Sequence, residues 1–214
     1  MKLNGIGAMA LTMALAACGG GSDNTPVACG AGVAAHTLSG TASAVHDGDT
    51  LTLTHSTGTE QVRLQGIDAP ELAQDWGSES RAALQGLALH QTVTIAYDQR
   101  DRYGRLLGHV YGSACEHLNL RLLREGQAWY YRAYACDLPA NLRTGFDQAE
   151  QAARQQRRGL WQQTQPIAPW VFRNGEDPAV PVCTGKELTD NLLKQIEPML
   201  TVNILRSEER RVGK

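Results

Sequence analysis

Five short runs of alternating apolar and polar residues, three stretches of helical spacing, and Asp-Gly or lone Gly punctuation between them predict an α+β, mainly β fold. The economical arrangement of such elements is a small five-stranded Greek-key barrel of the OB type carrying three helices. The strand pattern begins at 41–45, 50–55 and 61–67, separated by Asp47-Gly48 and by Ser56-Thr57-Gly58, and reads as a three-stranded meander. Over 78–89 the period changes: Leu84, Leu87 and Ala88 lie one helical turn apart, and His90-Gln91 marks the stop. Val93, Ile95 and Tyr97 then alternate as a fourth strand, and 106–111 gives a fifth after the turn Asp101-Arg102-Tyr103-Gly104. A second helix is expected over 118–125, capped by Gly126. A third is expected over 144–158, with Phe146, Ala149, Ala152 and Ala153 inward and Gly159 as its terminator.

The expected domain spans 36–173. Ahead of it, residues 5–17 form an apolar run behind Lys2, too short for a permanent bilayer span and suited to an export signal. Leu15-Ala16-Ala17-Cys18 resembles a lipobox, in which Cys18 would carry lipid and tether the protein to a membrane; a plain signal cut after Ala16 or Ala17 fits the same small residues. The expected location is therefore exported, as a membrane-anchored lipoprotein or a secreted protein. Residues 19–35, with Gly-Gly-Gly-Ser after Cys18, read as a flexible linker, and 174–214 as a mobile tail in which 207–214 resemble translated adaptor sequence.

Without Cys18, four cysteines remain, and export favours disulfides. Of the 3 pairings that four cysteines permit, the expected one joins Cys115 to Cys136 and Cys29 to Cys183. No CxxC or HxxxH spacing suggests structural zinc, and His46, His55, His90, His109 and His117 are scattered, which reads as structural or exposed. The formal net charge of −2 excludes the broadly basic surface of a dedicated DNA-binding domain, so any attraction for phosphate must be local. From His36 to Arg173 every Lys-or-Arg position is arginine, a residue suited to bidentate phosphate contacts.

Three motifs carry the candidate chemistry: Asp47-Gly48-Asp49-Thr50, then Arg63-Leu64-Gln65-Gly66-Ile67-Asp68-Ala69-Pro70-Glu71, then Asp101-Arg102-Tyr103-Gly104-Arg105. Each alone has a structural explanation as a turn or a solvated strand end. Together, at these separations and with Ala149-Glu150, Ala153-Arg154, Gly159-Leu160-Trp161 and Pro169-Trp170 downstream, the chain resembles the staphylococcal nuclease (thermonuclease) family across nearly all of 36–163.

That resemblance implies a calcium-dependent endonuclease acting on DNA and RNA, with products bearing 3′-phosphates. It implies Asp49, Asp68 and the backbone carbonyl of Ala69 as oxygen ligands of Ca2+, Glu71 as general base, and Arg63 and Arg105 as phosphate ligands stabilising the transition state. Arg102, Tyr103 and Tyr134 would bind substrate. Ala69 replaces the prototype's threonine, which a backbone ligand tolerates, and Arg132 stands where the prototype has a tyrosine. Alternation also sets Arg63 on the strand face opposite Val62 and Leu64. Trp129, Tyr130 and Tyr131 read as core or rim aromatics. A monomer is expected. The competing reading is a catalytically silent OB module that binds nucleic acid or a partner at the cell surface, against which the clustered arginines and Glu71 argue.

Overall fold

The computed structural model describes residues 29–30 and 32–183, so the export signal, Cys18, most of the linker and the tail beyond Cys183 lie outside the described residues. Five strands close a barrel in the order β1(His36–Val45), β2(Thr50–His55), β3(Gly58–Leu64), β6(Leu106–Tyr111), β5(Thr92–Arg100). All neighbours are antiparallel except β3 and β6, whose parallel register sets Arg63 opposite Leu107. This is the mixed, closed OB-type barrel the alternation predicted. β1 starts earlier than expected because its first half pairs with β5 while its second half turns onto β2, with a register shift between Ala42 and Ala44.

The alternation works as the pleat requires. Leu51 and Leu53 of β2, Val62 and Leu64 of β3, Ile95 of β5 and Leu106 and Val110 of β6 are wholly buried, and Thr52 and Arg63 between the first two pairs take the other face. Complete burial of one such side chain contributes about 1.5–3 kcal/mol. β3 ends sooner than predicted: Gly66, at φ 78°, turns the chain, and the two-residue strand β4(Ile67–Asp68) pairs instead with β7(Trp129–Tyr130). A Cβ at Gly66 would lie 2.7 Å from the Phe146 ring, so the turn is also packed down by the third helix.

The three expected helices are α1(Gly77–Ala88), α2(Leu118–Arg124) and α3(Ala140–Gln155). α3 begins a turn earlier than the apolar pattern suggested, directly after Pro139, and stops before Arg157, whose φ of 50° no helix continues through. α2 is fixed to the barrel by wholly buried Asn119, which accepts from the Val110 N–H at 2.9 Å and donates to the carbonyls of Gln65 at 2.9 Å and Gly108 at 3.1 Å. β7 is fixed to α3 by buried Glu150, whose Oε1 accepts the Tyr130 N–H at 3.0 Å and whose Oε2 pairs with Arg132 at 2.8 Å.

A fourth short helix, α4(Pro169–Asn174), was not anticipated. Proline at its first position presets the helical φ. Trp170 packs it into a second apolar cluster with Trp129, Ala153, Leu160 and Trp161. Of the two disulfides, Cys29 bonds Cys115 and Cys136 bonds Cys183, which corrects the expected pairing. The reason lies in the chain path: Gly30 packs against Tyr111 and Ala96, which brings Cys29 beside the turn following β6, where Cys115 sits. Cys183 instead follows α4, whose Trp170 stacks on Tyr131 at the start of the short 3₁₀ segment holding Cys136.

Candidate active site

The Asp47-Gly48 turn places one acid. Asp47 Oδ1 accepts the Asp49 N–H at 3.0 Å, closing the turn, and the Leu64 N–H donates to the Asp49 carbonyl at 2.8 Å, stitching it to β3. Gly48 is required by contact: a Cβ there would lie 1.9 Å from Ser80 Oγ and 2.6 Å from the Ala69 Cβ. Asp49 is consequently buried, with Oδ2 accepting the Ala69 N–H at 2.6 Å and Oδ1 the Thr50 hydroxyl at 3.1 Å.

Arg63 joins this acid to the next. Its Nε lies 3.1 Å from Asp49 Oδ1, its Nη2 donates to Asp68 Oδ1 at 2.8 Å, and its Nη1 donates to the carbonyls of Leu64 at 2.7 Å and Ile67 at 2.8 Å. The side chain leaves the strand on the face opposite Val62 and Leu64, as its alternation implied, but most of its donors are held internally. Only one Nη2 hydrogen is uncommitted. Asp68, on β4, is 2 % exposed. Burial pushes the Asp49 carboxyl up to about 7, against the pull of Arg63 and with the help of Asp47 and Asp68. The dominant cause is removal of the carboxylate from water.

Glu71 lies on the loop after β4. The Gln74 N–H donates to the Glu71 carbonyl at 2.8 Å, and Gln74 Nε2 reaches the Ile167 carbonyl at 2.5 Å, tying this loop to the approach of α4. Gly77 opens α1 beneath it: a Cβ there would lie 2.0 Å from the Glu71 carbonyl oxygen and 3.0 Å from the Leu72 Cα, both backbone atoms. Gly77→Ala is therefore expected to lower unfolding free energy by about 1–3 kcal/mol. Urea denaturation checks it, and an unchanged midpoint would refute the contact.

The residue that sequence reasoning missed is Arg173 of α4. Its Nη1 donates to Glu71 Oε1 at 2.6 Å and its Nη2 to Asp68 Oδ2 at 2.6 Å, so a second guanidinium bridges Glu71 and Asp68. Burial works against its charge, yet the hydrogen bonds to Asp68 and Glu71 hold its pKa above the ordinary arginine value. The only sequence signal was its place just beyond Pro169-Trp170.

Arg105 leads into β6. Because Arg63 pairs with Leu107 in parallel register, Arg105 stands two residues back, just before the neighbouring strand, where continued alternation sets it on the same outer face, roughly 8 Å away between Cα atoms. Asp101 holds it, accepting from Arg105 Nε at 2.7 Å and from its backbone N–H at 3.0 Å. Tyr103 is 68 % exposed, with Arg102 4.8 Å and Arg105 5.5 Å from its ring centre. Tyr134 is exposed and packs 5.3 Å from Tyr131, whose ring stacks on Trp170 at 5.2 Å. Arg132 is tied to Asp147 and Glu150, so it serves the fold rather than an open cleft. Of the aromatic residues assigned to core or rim, Trp129 and Tyr130 are buried and Tyr131 is half-buried.

A hard divalent cation suits this donor set. Asp49 and Asp68 offer carboxylate oxygens beside the Ala69 backbone, and a cation between them would offset the burial that raises the Asp49 pKa. Among the described residues no group of three or more His, Cys, Asp and Glu side chains is gathered to hold a metal ion, so a cation here would draw on the two carboxylates, the Ala69 carbonyl and water.

An OB-type barrel with acids and guanidinium groups meeting on one face has the machinery of a phosphodiester hydrolase. Residues 61–163 match the family model described as staphylococcal nuclease homologue. The chain is 42 % identical over 132 residues to an uncharacterized endonuclease of Escherichia coli O157:H7, covering 61 % of this chain and 81 % of that protein. It is 37 % identical over 135 residues to a micrococcal nuclease of Shigella flexneri, covering 59 % and 75 % respectively. Against an uncharacterized endonuclease of Haemophilus influenzae it is 38 % identical over 133 residues, 62 % of this chain and 71 % of the relative. The chain belongs to the staphylococcal nuclease family.

Proposed function

We propose that this protein is an exported, calcium-dependent endonuclease that hydrolyses phosphodiester bonds of DNA and RNA. The observation that carries the reading is the gathering of Asp49, Asp68, Arg63 and Glu71 into one hydrogen-bonded cluster, with Arg105 on the same face. Asp49, Asp68 and the Ala69 carbonyl would hold the calcium, which supplies Lewis-acid polarisation of a phosphate oxygen.

The remaining work falls to the side chains. Glu71 accepts the proton of the attacking water on its carboxylate, and its half-exposed position lets that water approach from solvent. Arg63 contributes chiefly a fixed positive charge, because its nitrogens already brace Asp49, Asp68 and two carbonyls. Arg105 binds Asp101 through Nε and Nη2, which leaves Nη1 as the donor better placed to reach an equatorial oxygen as charge gathers there. Tyr103 and Arg102 beside it, and Tyr134 across the rim, offer ring and cation for the nucleotide.

Arg105→Ala is expected to lower kcat by about 10²–10³-fold, the effect of removing one donor from a developing oxyanion. Parent and variant are compared on a DNA zymogram with calcium and again with chelator, followed by steady-state rates. A parent that leaves DNA intact in calcium would favour the silent binding module instead.

A further inference from the structure

We propose that α4 and the loop after β4 form a further nucleotide subsite, in which Phe172 and Leu72 flank a base of single-stranded nucleic acid and Arg173 takes its phosphate. The inference rests on the nuclease reading of the neighbouring carboxylates and extends it to Phe172 and Arg173, beyond the matched 61–163 segment.

The first observation is a cavity of about 460 Å³ lined by Asp47, Glu71, Leu72, Ala73, Phe172 and Arg173. Its size falls within the range of small-molecule sites, and it opens directly beside Glu71. Two of its walls are apolar and open to water: Leu72 is 52 % and Phe172 48 % exposed. Single exposed apolar residues need no explanation, but here two, from segments about a hundred positions apart, face the same cavity next to the reacting centre. A base has an apolar face that such walls can sandwich whatever its identity.

The second observation is the state of Arg173. Its guanidinium binds Asp68 and Glu71 through both terminal nitrogens, with its side chain 36 % exposed. The Glu71 half of this tie is more than one-third exposed on both sides and contributes little, whereas the Asp68 half holds a buried acid. As a cation opposite Asp68 it competes with a divalent ion for the same oxygens. Once Asp68 is taken by calcium, the guanidinium is left with a planar fork suited to phosphate, within the cavity that Phe172 and Leu72 line.

The third observation is rigidity. Trp170 fastens α4 into the second apolar cluster, its ring stacks on Tyr131, and its Nε1 donates to Asp177 at 2.7 Å. Tyr131 in turn packs against exposed Tyr134. Ring contacts therefore link the predicted substrate tyrosine, through half-buried Tyr131 and buried Trp170, to the helix that carries Phe172 and Arg173. A polynucleotide crossing the site meets rings and a cation on this side as well as at Tyr103.

The test uses the full chain and its Phe172→Ala, Phe172→Trp, Arg173→Ala and Arg173→Lys variants. Cleavage of a single-stranded oligothymidylate in calcium gives kcat and KM, and calorimetry without nucleic acid gives the calcium affinity. Phe172→Ala is expected to raise KM about 5- to 100-fold with calcium affinity unchanged, and Phe172→Trp to restore it. Arg173→Ala is expected to tighten calcium binding about 5-fold or more while raising KM, with Arg173→Lys between the two. KM values within twofold of the parent for both alanine variants, from a parent that cuts normally, would overturn the subsite and leave the nuclease reading intact. A parent that cuts nothing would overturn both.

Discussion

Glu71→Gln is expected to lower kcat by about 10²–10⁴-fold while leaving the fold in place. The amide keeps the shape of the side chain and still accepts from Arg173, but it cannot take the proton of an attacking water at neutral pH. Stability should change little, because the Arg173–Glu71 pair is more than one-third exposed on both sides and such pairs contribute little in water. KM should move less than kcat, since Glu71 acts on the water rather than on bound phosphate. Steady-state rates in calcium, with thermal melts of both proteins, separate this from mere unfolding. A kcat within a few-fold of the parent at unchanged melting temperature would remove Glu71 from the role of base.

The barrel was legible because burial on one face writes itself into a period of two. Leu51 and Leu53, Val62 and Leu64, and Val93 and Ile95 are core residues that alternation alone identifies. Arg63 between Val62 and Leu64 could be placed by the same rule, and the family motif supplied Asp49, Asp68 and Glu71. What periodicity could not supply was contact between elements without a shared period. Arg173 reaches Asp68 and Glu71 across 105 and 102 positions, respectively, from a six-residue helix too short for a helical stripe to show. The disulfides were missed for a related reason: loop closure sets no strong preference among pairings, whereas packing of Gly30 on Tyr111 does. The departure of Arg63 from a free phosphate clamp was also invisible, because the carbonyls of Leu64 and Ile67 become available to it only after Gly66 turns the chain back.

The histidines lacked ligand spacing, and burial gives two of them a consequence that spacing could not reveal. His109 on β6 and His117 before α2 pack at 5.2 Å between ring centres, His117 stacks on Tyr111 at 4.8 Å, and Phe146 closes over both. His109 Nδ1 and His117 Nε2 are buried without a hydrogen-bond partner. Burial lowers His109 to about 3, aided by the neighbouring His117, and lowers His117 to about 4, aided by Arg124. In the unfolded chain both return to about 6.5. The folded state thus binds fewer protons than the unfolded one between these values, so full stability holds above pH 6.5 and falls as the pH drops toward 4 and 3. Between pH 7 and pH 5 the two together cost about 4 kcal/mol, or roughly 8–16 °C in melting temperature for a domain of this size. Asp49 works in the opposite direction, since its raised carboxyl gains a proton more readily in the folded state as the pH falls through 7. The histidine contribution is therefore read as a difference, by melting the parent and a His109→Gln, His117→Phe double variant at pH 7 and pH 5 in the same calcium concentration. The variant is expected to lose about 4 kcal/mol less than the parent across that interval, whatever its stability at pH 7. Equal losses in the two proteins would mean that the buried imidazoles find protons, or partners for them, inside the fold.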